Sequence, residues 1–196
     1  MMKETIDGIY KKIRELEAEI EEALTRAEKE LHYRIEQKRI SFENGVLELH
    51  KKLRKPLVKF IREADLFHVL TAPVIYSLIF PMALVDACAT LYQIICFPVY
   101  GIKKVRRSDF IMMDRHHLGY LNVIEKINCV YCGYANGLAA YIREIAARTE
   151  RYWCPIKHAR RMLNPHPYYH EFADYGNAEE FRERMRILVE ENKDKK

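Results

Sequence analysis

The chain has 196 residues, 49% of them hydrophobic and 31% charged, with a formal net charge of +5. This composition excludes a disordered chain and fits one domain with extensions. The charge is modest and no basic stretch is interleaved with aromatic residues in a known binding motif, so we expect no nucleic-acid partner. The odd count of five cysteines and the charged start of the chain, which does not read as a cleavable signal peptide, indicate a reducing, cytoplasm-facing compartment.

Residues 1–55 carry an apolar seam typical of a coiled coil. Steps of three and four residues alternate through a run of apolar positions: Ile6, Ile9, Ile13, Leu16, Ile20, Ala23 and Ala27. The spacing slips near Leu31–Ile40, as a stutter would make it do, and Pro56 is expected to kink or end the helix. We predict one long helix or a broken pair that forms a homo-oligomer. The alternative is an amphipathic helix packed on its own chain.

Residues 66–102 contain no Lys, Arg or Glu, and His68 and Asp86 are their only ionisable groups. Basic stretches, KKLRKPLVKFIR and KKVRR, flank this run on both sides, which places both ends on the cytoplasmic face of a membrane. With Pro81 near its middle, the region 56–105 is predicted to form a helical hairpin that turns near Phe80–Pro81 and dips into anionic lipid of the inner membrane. A hairpin buried in a soluble core is the alternative.

Asp86 is the one carboxylate of the apolar run. A carboxylate within a membrane is costly unless it is paired, which makes it a candidate functional group. Its place just after the proline turn equally suits an N-cap. Both roles are consistent with the sequence.

Residues 106–165 are predicted to form a small helical module with a metal site. Cys129 and Cys132 are separated by two residues, and Cys154 and His158 by three. Three thiolates and an imidazole in two such pairs are what a tetrahedral Zn²⁺ site needs. The 21 residues between the pairs allow a helix and a return, and Gly133 and Gly137 allow either a bend or close helix packing.

Iron or a [2Fe–2S] cluster is an alternative occupant of the same four ligands, and a redox dithiol or plain structural cysteines remain open. The Cys-x3-His spacing is similar to that of CDGSH-type [2Fe–2S] proteins. That family, however, has Cys-x-Cys and an Asp-Gly-Ser core that are absent here, so its fold is not carried over.

Other polar and aromatic groups lie close to the predicted site in sequence. Glu125 and Glu144 lie on the helices that bracket the ligand pairs, where they either support the metal or form ion pairs. A di-iron centre is disfavoured because the characteristic Glu-x-x-His pair is absent. Trp153 either shields the metal or lies at a membrane interface. No catalytic residue can be assigned, so we do not expect an enzyme. Residues 166–196 add one amphipathic helix capped by Asn177 and a charged tail.

Three stretches, CFPVYGIKKVRRSDF, DRHHLGYLNVIEKINCVYCGYANG and EIAARTERYWCPIKHARR, resemble a group of bacterial proteins of uncharacterised activity. The likeness covers residues 66–163 and includes the Cys129, Cys132, Cys154 and His158 pattern. It implies a bacterial membrane-associated protein and no particular reaction.

The sequence thus predicts an all-α protein with a coiled-coil arm, a membrane-dipping hairpin and a metal module. The expected function is that of a membrane-attached scaffold or adaptor that holds a structural zinc and binds a protein partner. A membrane-associated iron or iron–sulfur electron carrier is the alternative.

Overall fold

The computed structural model describes the backbone of residues 2–30, 33–36, 39–42 and 44–193, with side chains described for 8–26 and 45–190. Within these ranges the chain is mainly helical, which confirms the all-α prediction in its coarse form. The α-helices are α1 (Met2–Glu30), α2 (Asn44–Leu53), α3 (Leu57–Arg62), α4 (Leu66–Ser77), α5 (Ile79–Tyr100), α6 (Val123–Trp153) and α7 (Ala178–Lys193).

The predicted N-terminal helix is a broken pair, α1 and α2, separated by a β-hairpin. Strand β1 (Tyr33–Glu36) pairs antiparallel with β2 (Arg39–Phe42), and the register sets Tyr33 opposite Phe42 and Ile35 opposite Ile40. Aromatic and β-branched pairs of this kind favour strands. The slip near Leu31–Ile40 therefore marks a change to strand structure rather than a stutter. Of this stretch, residues 31, 32, 37 and 38 lie outside the described residues, as does residue 43.

The predicted membrane hairpin is wrong, because the chain does not reverse at Phe80–Pro81. Leu78, between α4 and α5, keeps right-handed helical angles (φ −63°, ψ −13°), and its carbonyl accepts from Met82 N at 3.1 Å. Pro81 has no N–H to donate to the carbonyl four residues earlier, so it kinks the helix without turning it. Residues Leu66–Tyr100 form one 35-residue apolar helix, and only 6% of its most apolar stretch is buried.

The chain returns along α5 after that helix ends. Gly101 closes α5 in the left-handed conformation (φ 72°), which glycine adopts without strain. Residues 102–122, here called the return segment, contain only two 3₁₀ turns, Arg107–Asp109 and Arg115–His117. They carry the chain back to the start of α6.

Helix α6 runs parallel to the apolar helix Leu66–Tyr100. In the N-terminal half of each helix, Tyr76 packs edge-on against Tyr131 with ring centroids 5.6 Å apart. At the C-terminal ends, Tyr100 packs against Trp153 with ring centroids 5.2 Å apart. A parallel pair needs a long connection, and the return segment provides it.

The core lies between α5, the return segment and α6. Its buried apolar residues come from all three: Phe97, Val105, Ile111, Leu138, Tyr141 and Ile145. Gln93 joins the layers, since its side chain accepts from Val105 N at 2.9 Å and donates to Val105 O at 3.2 Å. This pairing satisfies backbone groups that would otherwise be buried without partners.

Of the two roles that the sequence left open for Gly133 and Gly137, a bend and close packing, the structure shows close packing. Both lie inside α6, where the return segment crosses closely. A Cβ atom at Gly137 would lie 2.6 Å from Phe110 O, and one at Gly133 would lie 2.9 Å from Met112 O. The glycines are therefore required by backbone contact.

The C-terminal residues pack on α6 through irregular segments. Ile156 and Ala173 form an isolated parallel bridge. Asn177 caps α7 as predicted, accepting from Glu180 N at 3.1 Å. Residues 194–196 of the charged tail lie outside the described residues.

Replacing Gly137 with alanine is expected to lower the free energy of unfolding by about 1–3 kcal/mol, because backbone must move to admit the methyl group. The measurement is denaturant unfolding of the full chain in mild detergent, followed by circular dichroism. Gly8→Ala in α1, where no atom lies within 4 Å of the added Cβ, is the matched control and should not destabilise the protein. Equal stability of Gly137→Ala and the wild type would contradict the described contact.

Candidate functional site

The four predicted metal ligands do not come together in the described chain. Cys129 and Cys132 lie near the start of α6, and Cys154 is the residue that follows its end. Cys132 and Cys154 are 22 residues apart, which corresponds to about 33 Å along a helix. A tetrahedral site needs ligand atoms about 2–2.3 Å from one ion. One chain with a continuous α6 cannot close this site with all four residues.

The surroundings of each pair agree with this separation. The described residues contain no group of three or more His, Cys, Asp or Glu side chains placed to hold a metal. Cys132 instead lines an apolar cavity with His68, Tyr76 and Asn128. His158 donates its backbone N–H to the Tyr169 hydroxyl at 2.7 Å. The Cys3His site, with zinc or iron, stays a prediction that requires another path for the chain between its two pairs.

Asp86 is buried at the centre of a polar contact between α5, the return segment and α6. Arg107 donates to it from Nε at 3.1 Å and from Nη2 at 2.6 Å, and the Tyr134 hydroxyl donates at 3.0 Å. Asp86 lies eight residues beyond the N-cap of α5, so the N-cap alternative is wrong. The sequence alone did not identify Arg107 as the partner of Asp86. The two residues are 21 positions apart and do not lie on one helix, so no spacing in the sequence relates them.

These contacts shift the ionisation of Asp86's partners. The hydrogen bond to Asp86 raises the pKa of Arg107, and burial, followed by the hydrogen bond to Asp86, raises the pKa of Tyr134. Arg107 stays charged and Tyr134 stays neutral at physiological pH. The group is thus a stable ion pair with a neutral donor, which suits a structural link rather than proton transfer.

Glu125 and Glu144 have structural partners. Glu125 forms a capping box with Asn122 at the start of α6, with its carboxylate 2.8 Å from Asn122 N and its own N–H 3.0 Å from Asn122 Oδ1. Glu144 accepts from Arg148 Nε at 2.7 Å and from the Tyr168 hydroxyl at 2.8 Å. Burial, with the bond to Glu144, raises the pKa of Tyr168. Of the two glutamates that the sequence placed in ion pairs or beside a metal, Glu144 pairs with Arg148, whereas Glu125 caps α6.

Trp153 lies at the C-terminal ends of α5 and α6 in an aromatic cluster. Its ring packs edge-on against Tyr100 and against Tyr152, with centroids 5.2 and 5.0 Å apart. The side chain is 50% exposed. A half-exposed tryptophan that packs beside the end of an apolar helix is a common feature of membrane interfaces.

The apolar helix Leu66–Tyr100 carries an extended exposed apolar surface. A single stripe of α5 is buried at Asp86, Gln93 and Phe97, and faces the return segment and α6. The other sides of the helix expose large apolar side chains: Phe80, Leu84, Val85, Leu91, Ile94, Ile95 and Val99. Apolar surface this continuous marks an interaction site.

Comparisons with family models, with curated proteins and with solved structures give no match to this chain.

A short crosslinker with two maleimide groups, each of which adds one cysteine thiol, is expected to join Cys129 to Cys132 but not Cys132 to Cys154 within one chain. The first pair is three residues apart in a helix, with Cβ atoms about 5–6 Å apart. The measurement is mass spectrometry of peptides from a Cys88→Ser/Cys96→Ser chain, crosslinked at low protein concentration. The Cys129–Cys132 link serves as the internal control. An intramolecular Cys132–Cys154 link would instead favour the closed metal site.

Proposed function

We propose that this protein is a membrane-attached scaffold that lies on an anionic bilayer by the exposed sides of the helix Leu66–Tyr100. The observation that carries the proposal is the asymmetry of this helix. One stripe packs on the return segment and α6, and the large apolar side chains on the other sides, Phe80, Leu84, Val85, Leu91, Ile94, Ile95 and Val99, are between 43% and 76% exposed. The hydrophobic effect favours transfer of such a surface out of water.

An orientation in the plane of the bilayer, rather than across it, is supported by the return segment. A 35-residue helix is about 52 Å long, against a hydrocarbon core of about 30 Å. A spanning α5 would draw residues 102–122 back through the hydrocarbon with it. That segment is largely irregular and contains seven Lys, Arg and Asp residues. Backbone and charges of this kind are unfavourable in lipid.

The basic flanks favour a bilayer with anionic lipid. Lys59 and Arg62 precede the helix, and Lys103, Lys104 and Arg106 follow it, all of them exposed. Each Lys or Arg near an anionic surface contributes about 1 kcal/mol of attraction. Basic residues at both ends are consistent with both ends lying on the cytoplasmic side of the inner membrane.

The proposed scaffold role comes from α1. Its seam residues Ile9, Ile13, Leu16 and Ile20 are between 42% and 59% exposed, so about half of each side chain is open to a partner. The heptad spacing of the seam fits a second copy of the same helix. The side chains of Ile6 and Ala27, at the two ends of the seam, lie outside the described residues. A homo-oligomer would bring several lipid-binding surfaces together and strengthen attachment.

The proposal includes no metal and no reaction. The zinc site and the alternative iron–sulfur carrier gain no support from a helix that holds their ligand pairs apart. We infer a binding role in which a protein partner is recruited to the membrane.

Leu84→Glu combined with Ile95→Glu is expected to weaken binding to anionic vesicles at least tenfold. Each substitution puts a charge in place of an apolar side chain that is proposed to lie in lipid, where its burial is worth about 1.5–3 kcal/mol. Vesicle co-sedimentation measures the effect. Tyr175→Glu, at a residue 70% exposed and outside the apolar helix, is the matched control and should bind as the wild type does.

The same vesicles test the orientation. Single cysteines in place of Lys52 and Lys104, each in a chain whose native cysteines are replaced by serine, should both react with a membrane-impermeant reagent added outside the vesicles. Protection of one of the two positions would mean that the helix spans the bilayer, and would overturn the in-plane orientation.

Ile13→Lys with Ile20→Lys is expected to convert the oligomer into single chains, because two charges replace apolar a positions of the seam. Light scattering coupled to size-exclusion chromatography of the detergent-solubilised protein measures the mass. The control adds the same charge on the far side of α1, as Ala18→Lys with Thr25→Lys, and should leave the mass unchanged. A wild type that is monomeric at all concentrations would contradict the scaffold role.

A further inference from the structure

An irregular loop, residues 157–165, borders a cleft on the C-terminal part of the molecule. The cleft has a volume of about 460 Å³ and is bounded by this loop, by Tyr169 and His170, and by Tyr10 of α1. A volume of this size suits a small-molecule ligand.

The loop is held in place at both ends. Lys157 N donates to Ala173 O at 2.8 Å. At the other end Arg143 Nη2 donates to the carbonyls of Asn164, at 2.8 Å, and Pro165, at 2.9 Å. Asn164 adopts the left-handed conformation with φ 52°, a region in which asparagine is favoured over most side chains. The cleft is therefore bounded by a fixed loop.

The lining of the cleft is basic. It contains Lys157, His158, Arg160, Arg161 and His170, and includes no Asp or Glu. Lys157 pairs with Asp174 at 2.7 Å. The ion pairs within the described part of the chain include neither Arg160 nor Arg161. The guanidinium groups of the adjacent Arg160 and Arg161 concentrate positive charge here, and no carboxylate of the described residues forms an ion pair with them.

His170 adds a hydrogen-bonding group that is left unused. Its ring stacks on Tyr10 with centroids 4.5 Å apart, and its Nδ1 atom is buried with no hydrogen-bond partner in the described residues. Buried polar atoms in native proteins are almost always partnered by protein, water or ligand. His170 lines the basic cleft, so its ring is a candidate hydrogen-bonding group for an oxyanion bound there.

We propose that this cleft binds a phosphate-bearing anion. Arg160 and Arg161 contact the phosphate oxygens, to which the planar guanidinium is matched in shape and charge. Tyr10 and Tyr169 form an aromatic wall for the group that carries the phosphate. The site is distinct from the lipid-facing helix, and the inference does not rest on the membrane attachment proposed above.

The position of the cleft favours a soluble ligand over a lipid headgroup. Arg143, which holds the loop, lies two residues beyond Tyr141, which faces α5 and hydrogen-bonds Gln93. Residues two apart in a helix point to nearly opposite sides. The loop thus attaches to the side of α6 away from the apolar helix. A lipid headgroup shares the same chemistry, and the experiment separates the two sources.

Isothermal titration of the full chain in mild detergent with pyrophosphate is the test. We expect saturable binding that falls at least tenfold in Arg160→Gln/Arg161→Gln, because two charge-assisted contacts are lost. Leu163→Glu, which adds a carboxylate at the cleft, should reduce binding as well. Arg182→Gln/Arg184→Gln, on α7 and outside the cleft, removes the same two charges and should bind as the wild type does. Unchanged circular dichroism of the variants establishes that they fold.

A parallel titration with short-chain phosphatidic acid identifies the source of the phosphate. Binding of phosphatidic acid without pyrophosphate, lost in the double arginine variant, would support the site with a lipid headgroup as its ligand. Binding of neither compound, or equal binding by the wild type and the double arginine variant, would overturn the proposal.

Discussion

The ion pair between Asp86 and Arg107 is the contact on which the rest of the described structure depends. A carboxylate in the middle of an apolar helix is strongly unfavourable unless a partner reaches it. Arg107 comes from the irregular segment that follows the helix, and Tyr134 completes the contact from α6. The pair therefore draws the chain back along the helix it has just completed, in place of the hairpin that the sequence suggested.

The return of the chain explains the shape of α6. Once Phe110 and Met112 run alongside it, their carbonyls leave no room for side chains at Gly137 and Gly133. These glycines allow close approach, and the helix continues past them to Trp153. A continuous α6 in turn holds Cys132 and Cys154 apart. One path of the backbone thus accounts for the pairing of the buried Asp86, for the glycines and for the separated cysteines.

The same packing gives the molecule two different functional surfaces. The apolar sides of Leu66–Tyr100 are left uncovered because the return segment and α6 occupy only one stripe of α5. The basic loop 157–165 is anchored to the opposite side of α6 by Arg143. If the apolar surface lies on lipid, the cleft is directed toward the cytoplasm, and Tyr10 of α1 forms part of its wall. A ligand in the cleft would then contact both α1 and the loop 157–165.

The sequence alone determined the features that depend on neighbours within a few residues. Hydropathy identified the apolar helix, three-four spacing identified the seam of α1, and the preference of asparagine for an N-cap identified the start of α7. The same reasoning could not tell whether Pro81 turns or kinks the chain, since that depends on which backbone groups find partners. Nor could it tell whether Gly133 and Gly137 bend a helix or admit another backbone. The partner of Asp86, the strands within the N-terminal segment and the separation of Cys132 from Cys154 were decided by the tertiary structure, because each depends on where distant segments meet.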